Sequence, residues 1–423
     1  MKGKTQVTQY TLTAPAQLSG QISLPASKSI ANRALIICKL VGMEPLSDVH
    51  PDSDDIYAML NALQSGGSQV DVGASGTCMR FLTAYYSTQP GTHILDGTAR
   101  MRQRPVGPLV DALRQLGADI HYLGEEGFPP LRIEGRPLDG GMLKMSGAVS
   151  SQFISALLLI APMMAGGLLL HLEGEVVSRP YIDLTMEVMR NFGADAEWQG
   201  GGAAIRVRPT GYQPREYQVE SDWTAASYWF ESVALAGAGK ADIRCTGLFP
   251  NSIQGDAALQ RIYNQFGVQS EFIFSAGSAP LLQIRATSAP HLTVSLDLNA
   301  HPDLAQTLAC TCMGLGIPFL FTGLQTLHLK ETDRVMALVS EARKLGFVLE
   351  SPAHGQLQWK GQHCEPTYQP IETYDDHRMA MAFAPLAIRF PHLRLNNPEV
   401  VNKSYPTFWE HFREIGCTIE TNS

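Results

Sequence analysis

The stretch Arg179-Pro-Tyr-Ile-Asp-Leu-Thr-Met-Glu-Val-Met-Arg-Asn-Phe-Gly193-Ala-Asp-Ala196 carries the whole architecture in miniature. Ile182, Met186 and Met189 recur at i, i+4 and i+7, the spacing of one buried helix face. Gly193 follows the last turn, where a left-handed C-cap is needed. Ala194-Asp-Ala196 then opens a strand. The unit read from these residues is a polar loop, an amphipathic helix, a glycine and a short strand.

Working outward, the same unit recurs. Residues 104–120 repeat it with Gly117, and residues 53–63 repeat it ahead of Gly66-Gly67. In the second half, residues 254–268, 331–348 and 405–419 repeat it around Gly267, Gly346 and Gly416. Further helices are expected over 32–40 and 150–160, and further strands over 291–296 and 319–321. Six units in two sets of three predict two similar α/β domains. The break is expected near Glu220-Ser-Asp222, before a helix starting near Thr224 that Asp222 or a neighbour is placed to cap.

The bulk properties bound this reading. A chain of 423 residues predicts two or three domains. Hydrophobic residues at 44% and charged residues at 17% supply large cores without global disorder. A net charge of -8 argues against a nucleic-acid partner, though a few placed cations can still dominate one site. Seven scattered cysteines with no C-x-x-C predict neither a disulfide framework nor a zinc site, and fit a reducing cytoplasm. Cys310 and Cys312 lie in an apolar run and read as core. The N-terminus has no apolar h-region, so neither a signal nor a transit peptide is expected. Residues 153–172 are apolar enough to tempt a membrane assignment. Pro162, Gly166-Gly167 and His171 interrupt them, so a buried helix, a turn and a strand over 168–172 are expected instead.

The loops before the helices hold the chemistry. Leu24-Pro-Ala-Ser-Lys28-Ser29-Ile-Ala-Asn-Arg33 places a polar turn and two cations at a helix start, where free N–H groups attract anions. Gly73-Ala-Ser-Gly76-Thr77-Cys-Met-Arg80 is a glycine-rich turn in which Gly76 allows close backbone approach, but it lacks the P-loop ending. Arg100, Arg102 and Arg104 crowd ahead of the next helix, with Pro105 expected in its first turn. Ser150-Ser151-Gln152 and Ser178-Arg-Pro-Tyr181 offer neutral donors. Later, Pro302-Asp303, Lys330-Glu331-Thr-Asp333-Arg334, Asp375-Asp376-His377-Arg378 and Lys403 alternate charges at helix starts. Each motif alone also reads as a helix cap or a solvated face. As a set, they place basic groups at the same point of most units. If the two domains face each other, these loops converge on a cleft for small polyanions, with Asp303 and Glu331 as proton handlers.

Taken in order, these motifs resemble those of the EPSP synthases, from about Leu12 to Ile419. The resemblance implies two inverse α/β domains, each of three helix–strand units, joined by a two-stranded hinge near Ala26 and Ser221. One domain would hold residues 27–220, the other residues 1–26 with 221–423. It implies transfer of the enolpyruvyl group of phosphoenolpyruvate to the 5-hydroxyl of shikimate 3-phosphate, releasing phosphate, with no metal or organic cofactor. By the same resemblance, Ser29, Arg33, Ser150, Ser151, Gln152, Ser178, Asp303 and Lys330 bind shikimate 3-phosphate. Lys28, Gly76, Arg104, Gln152, Arg334, Arg378 and Lys403 bind phosphoenolpyruvate. Asp303, Glu331 and Lys28 are the catalytic residues. A cytoplasmic monomer with no nucleic-acid or membrane partner is expected.

The sequence departs from the family pattern in three places. Ala74 stands where an Asn is usual, the segment between Asp55 and Gly73 is short, and an upstream Asn is replaced near Thr326. Two other readings compete. A UDP-N-acetylglucosamine enolpyruvyl transferase would carry Lys-Asn at Lys28-Ser29 and a loop cysteine, which the stretch between Cys78 and Cys245 lacks. An inactive polyanion-binding scaffold would have no need of both Asp303 and Glu331.

Overall fold

The computed structural model describes residues 8–46, 49–66, 68–275 and 279–422. The chain divides into two compact units: a split unit, Met1–Ala26 with Glu220–Ser423, and a central unit, Ser27–Val219. The chain leaves the split unit after β1 (Gln9–Thr13) and β2 (Leu18–Ser23). At that exit Ala26 forms an antiparallel bridge with Ser221, and the Ser221 hydroxyl donates to the Leu24 carbonyl at 3.0 Å.

The central unit opens with two helices, α1 (Lys28–Leu40) and α2 (Asp54–Gln64). There follow β3 (Gln69–Asp71), α3 (Gly76–Thr88), β4 (Gly91–Asp96), α4 (Gly107–Gln115), β5 (Asp119–Tyr122) and β6 (Leu131–Gly135). The strands form a sheet in the order β3-β4-β6-β5, with β3 parallel to β4 and the other pairs antiparallel. The next segment repeats the plan: β7 (Gly141–Ser146), α5 (Ser151–Ile160), β8 (Leu168–Glu173), α6 (Arg179–Asn191), β9 (Ala196–Gln199) and β10 (Ala204–Val207). Its order is β7-β8-β10-β9. Register brings Leu143, Leu170 and Ile205 side by side, all buried. Helix α5 buries every residue except Gln152, and packs between α3 and α6.

The split unit continues with α7 (Trp223–Ala236), β11 (Ala241–Thr246), α8 (Leu259–Tyr263), β12 (Val268–Ile273) and β13 (Leu281–Ala286). Strand β11 pairs in parallel with β2, giving β2-β11-β13-β12, the plan already seen twice. A second layer holds β14 (Val294–Asp297), α9 (Ala305–Leu315), β15 (Phe319–Thr322), α10 (Arg334–Lys344) and β16 (Leu357–Trp359). The third holds α11 (His377–Phe383), β17 (Leu393–Asn396), α12 (Phe408–Glu414) and β18 (Thr418–Asn422), with β1 seated antiparallel between β17 and β18.

The glycine rule holds at all six units. Gly66, Gly117, Gly193, Gly267, Gly346 and Gly416 each have φ between 72° and 100°, the left-handed region that L side chains avoid. Asp222 caps α7, its carboxylate accepting from the N–H groups of Thr224 and Ala225. Residues 153–172 form the end of α5, a 3-10 turn and most of β8, and no helix among the described residues is long and apolar enough to cross a membrane. None of the seven cysteines forms a disulfide, and burial pushes the thiols of Cys310 and Cys312 well up.

The strand expected after Gly66 is β3, which lies in the short stretch between α2 and α3 and pairs onward with β4. Three expectations need adjusting. After Gly346 the expected strand is reduced to single bridges, Phe347 to His363 and Glu350 to Gln358. The strand expected over 291–296 begins at Val294. Pro105 lies outside α4, which starts at Gly107, because the N–H groups of Val106 and Gly107 both turn to the Gly127 carbonyl.

One oddity sits in the split unit's core. Glu231 on α7 is fully buried, and neither carboxyl oxygen has a hydrogen-bond partner among the described residues. Burial pushes its pKa well above the usual carboxylate value, which favours the neutral acid.

Candidate active site

In the central unit the expected residues stand at the N-termini of buried helices. Lys28 opens α1 and pairs with Asp55 of α2 at 2.9 Å. Ser29 follows in the first turn, its carbonyl accepting from Arg33 Nη1 at 2.7 Å. Arg33 is 3% exposed. Its Nε donates to Thr185 Oγ1 at 2.7 Å, and its Nη2 to Ser155 Oγ at 3.1 Å and the Tyr181 carbonyl at 3.3 Å. The guanidinium also lies over the Phe81 ring, 5.1 Å from its centroid. Every partner of Arg33 named here is neutral. Burial, only partly opposed by Tyr181, therefore lowers its pKa to about 9, which leaves it charged at neutral pH.

The turn before α3 is built around Gly76. Ser75 caps the helix. Arg80 donates to the carbonyls of Gly76 at 3.0 Å and Pro105 at 2.9 Å, and Arg104 donates to the Ala74 carbonyl at 3.4 Å. Any Cβ at position 76 would lie 2.5 Å from Arg104 Nη2 and 2.6 Å from Arg80 Nη1. Glycine is thus what lets two guanidinium groups close on one turn. Ser150 caps α5 through the Gln152 N–H, Ser151 opens that helix, and the Gln152 amide reaches Thr77 Oγ1 at 3.1 Å. Ser178, buried before α6, has φ 53°, rare for a non-glycine residue. The Cys78 thiol donates to the Asp55 carbonyl at 3.3 Å. These bonds tie the starts of α1, α2, α3 and α5 into one polar cluster.

The split unit gathers its own expected residues around Arg334. This residue opens α10 and is 2% exposed. Its Nε and Nη2 grip Asp376 at 2.7 and 3.2 Å, Nη1 reaches Asp303 at 3.0 Å, and Nη2 reaches Glu331 at 2.9 Å. Burial alone would lower the Arg334 pKa, but Asp376, Glu331 and Asp303 outweigh it and raise it. Asp303, in the 3-10 turn before α9, also accepts from Arg378 at 3.0 Å and pairs with Lys330 at 3.3 Å. Lys403 pairs with Glu331 at 2.7 Å. Burial, partly offset by Asp303, lowers the Lys330 pKa. Asp376 is fully buried and caps α11 through the Arg378 N–H, while Asp333 caps α10.

Sequence reasoning missed several partners. Asp55, Thr77, Ser155 and Thr185 were not among the expected site residues, and Asp376 and Arg80 were seen only as parts of motifs. Pairing across elements, such as Lys28 with Asp55, has no local signal. The Asp54-Asp55 pair at a helix start was the available hint. Chemically, both clusters suit oxyanions: forked guanidinium donors and helix N-termini meet phosphate and carboxylate geometry. The split unit adds carboxylates able to exchange protons.

The family model described as EPSP synthase (3-phosphoshikimate 1-carboxyvinyltransferase) matches residues 12–71 and 64–412. A 3-phosphoshikimate 1-carboxyvinyltransferase of Bacteroides fragilis is 48% identical over 413 residues, spanning 97% of this chain and 99% of that protein. One from Psychromonas ingrahamii is 34% identical, spanning 97% of this chain and all of that protein. Among solved structures, EPSP synthase from Acinetobacter baumannii aligns with a TM-score of 0.74 at 22% identity, covering 98% of this chain and 100% of that one. The enolpyruvyl transferase NikO from Streptomyces tendae aligns with a TM-score of 0.71 at 15% identity, covering 98% of this chain and 99% of that one. These two structures speak to the fold.

Proposed function

The chain belongs to the EPSP synthase family, and from that premise we propose that it transfers the enolpyruvyl group of phosphoenolpyruvate to the 5-hydroxyl of shikimate 3-phosphate. The hydroxyl oxygen adds to C2 of phosphoenolpyruvate while C3 takes up a proton. The tetrahedral adduct then loses phosphate from C2 and a proton from C3, leaving the enol ether. The observation that carries this reading is the Arg334 cluster. There, two candidate proton handlers, Asp303 and Glu331, are held at 3.0 and 2.9 Å by the same guanidinium.

The proposed roles follow from charge and position. Ser29, Arg33, Ser150, Ser151, Gln152, Ser178 and Lys330 bind shikimate 3-phosphate. Lys28, Gly76, Arg104, Gln152, Arg334, Arg378 and Lys403 bind phosphoenolpyruvate. Asp303 accepts the 5-hydroxyl proton, and Glu331 with Lys28 handles the proton at C3. Substrate anions compete with Asp303 and Glu331 for the surrounding cations. Each cation drawn away leaves those carboxylates freer to accept a proton. One positioned acid–base group is worth roughly 10²–10⁴-fold, and holding the reactants together at least as much.

The seven cysteines, none of them in a disulfide, fit a reducing cytoplasm, where the chain is proposed to act as a monomer.

The test is a coupled assay. The protein is mixed with both substrates, phosphate release is followed, and the product is identified by mass. Release that requires both substrates and yields the enol ether supports the reading. No release overturns it. Release with UDP-N-acetylglucosamine in place of shikimate 3-phosphate would point to the cell-wall relative.

A further inference from the structure

The segment just before Asp376 is built in an unusual way. Tyr374 and Asp375, two consecutive non-glycine residues, both have φ 54°. L side chains rarely adopt this conformation singly, and seldom in succession. Such backbone persists only where its surroundings over-determine it. Here the surroundings are Glu341 of α10, which is fully buried. The Tyr374 hydroxyl donates to Glu341 Oε1 at 2.6 Å, and the Glu372 N–H donates to Glu341 Oε2 at 2.9 Å. Lys344 pairs with the same oxygen at 2.7 Å and donates to the Pro370 carbonyl at 2.9 Å. Burial first, and then the Glu341 carboxylate, push the Tyr374 pKa well up, so the phenol remains a donor.

Two consequences meet at this point. Glu341 rides on the helix that Arg334 opens. The Tyr374-Asp375 turn runs directly into Asp376, which grips Arg334 and caps the helix carrying Arg378. One buried carboxylate therefore ties the two chain segments whose arginines face Asp303.

We propose that Glu341 and Tyr374 are positioning residues, which hold the strained turn so that Asp376 aims Arg334 and Arg378 as an anion-binding pair. The effect on turnover rests on the function proposed above; the effect on backbone order does not.

The experiment uses the full chain with Tyr374→Phe, Glu341→Gln, the double variant, and Tyr374→Phe combined with Asp375→Gly. Two readouts are taken. One is kcat and KM for phosphoenolpyruvate, and the other is hydrogen-exchange protection of the amides of Asp376 and Arg378. Losing a hydrogen bond to a charged group predicts roughly a tenfold fall in kcat/KM, mostly through KM, for each single variant. Protection should fall at the same amides. The double variant should be no worse than the poorer single one, because both remove the same link. Glycine at 375 adopts the required φ without strain, so it should restore part of the loss in Tyr374→Phe.

Losses that add, or Tyr374→Phe retaining both protection and kcat/KM within about twofold, would overturn the proposal. Tyr374 is half-exposed and its exchange for Phe is mild, so this variant decides the matter even if Glu341→Gln folds poorly. If no variant, nor the parent chain, turned over substrate, the proposed function would fail while the exchange data still judged the positioning role.

Discussion

Arg33 and Arg334 are the two most telling arginines in the molecule, and they are buried to nearly the same degree, at 3% and 2% exposure. Their partners could hardly differ more. Arg33 is held by two hydroxyls and two carbonyls, so its charge is positioned but not cancelled by those partners. Arg334 is held by three carboxylates, so its charge is spent on Asp303, Glu331 and Asp376. The contrast teaches that one charged side chain can serve opposite ends. In the central unit its charge is fixed without being neutralised by those partners, as the proposed role in binding an anion requires. In the split unit it is the hub of an ion-pair network that holds the proposed proton handlers.

The comparison can be broken or sharpened in several ways. The largest expected effect is on turnover. Asp303→Asn should lower kcat by on the order of 10²–10⁴ while substrate affinity, followed by calorimetry, changes far less. Equal losses in both would make Asp303 a binding group only.

Next comes stability. Arg334→Met takes the guanidinium partner from the fully buried Asp376 and should cost about 3–5 kcal/mol in urea unfolding. Arg33→Met removes charge-assisted hydrogen bonds to neutral hydroxyls and carbonyls but leaves no buried carboxylate behind, so it should cost less, yet weaken shikimate 3-phosphate binding roughly tenfold or more. Similar stability costs for the two variants would erase the distinction.

A subtler effect lies in pH. Burial lowers the Lys330 pKa, so its charge is lost as pH rises through a value below the usual lysine figure of about 10.4. Affinity for shikimate 3-phosphate should therefore decline on the alkaline side earlier than an ordinary lysine would dictate. Lys330→Arg should move that limb to higher pH. An unmoved limb would assign it to another group.

The smallest effect concerns Glu231, a third way of burying an ionisable group, with no hydrogen-bond partner among the described residues. Its folded pKa is raised, so folding takes up a proton above the unfolded carboxylate value of about 4.3, and stability falls as pH rises. Glu231→Leu should raise Tm by a few degrees at pH 7.5, on the order expected for 1–2 kcal/mol, and by less at pH 4. A Tm gain independent of pH would mean that Glu231 is not held neutral.

Much of the fold was legible because each unit repeats a strong local grammar. The helical spacing of Ile182, Met186 and Met189, and the left-handed glycines behind each helix, are short-range signals that survive into the structure. What failed was long-range. Nothing near β3 says that it joins β4 rather than a sheet of the preceding unit, and nothing at Gly346 says that the following strand frays into bridges. The same division runs through the site. Residues at helix starts, such as Lys28, Ser150, Asp333 and Asp376, announced themselves by position. Partners from other elements did not: Asp55 for Lys28, Thr185 for Arg33, and Glu341 for Tyr374 are known only once the chain has folded.

The seating of β1 between β17 and β18, and of β2 beside β11, has a consequence for biogenesis. On the ribosome the first strands emerge first but must wait for their partners. Strand β2 waits for residues 241–246, and β1 for residues 393–396 and 418–422. The central unit contains all of its own strand partners and can close while the rest is still being made, since domains generally fold as units during synthesis. Strand β2 can therefore pair once residues 241–246 have been made, whereas β1 stays unpaired until residues 393–422 have followed. Closure of the split unit's third sheet is thus a late event, in which β1 is seated between β17 and β18.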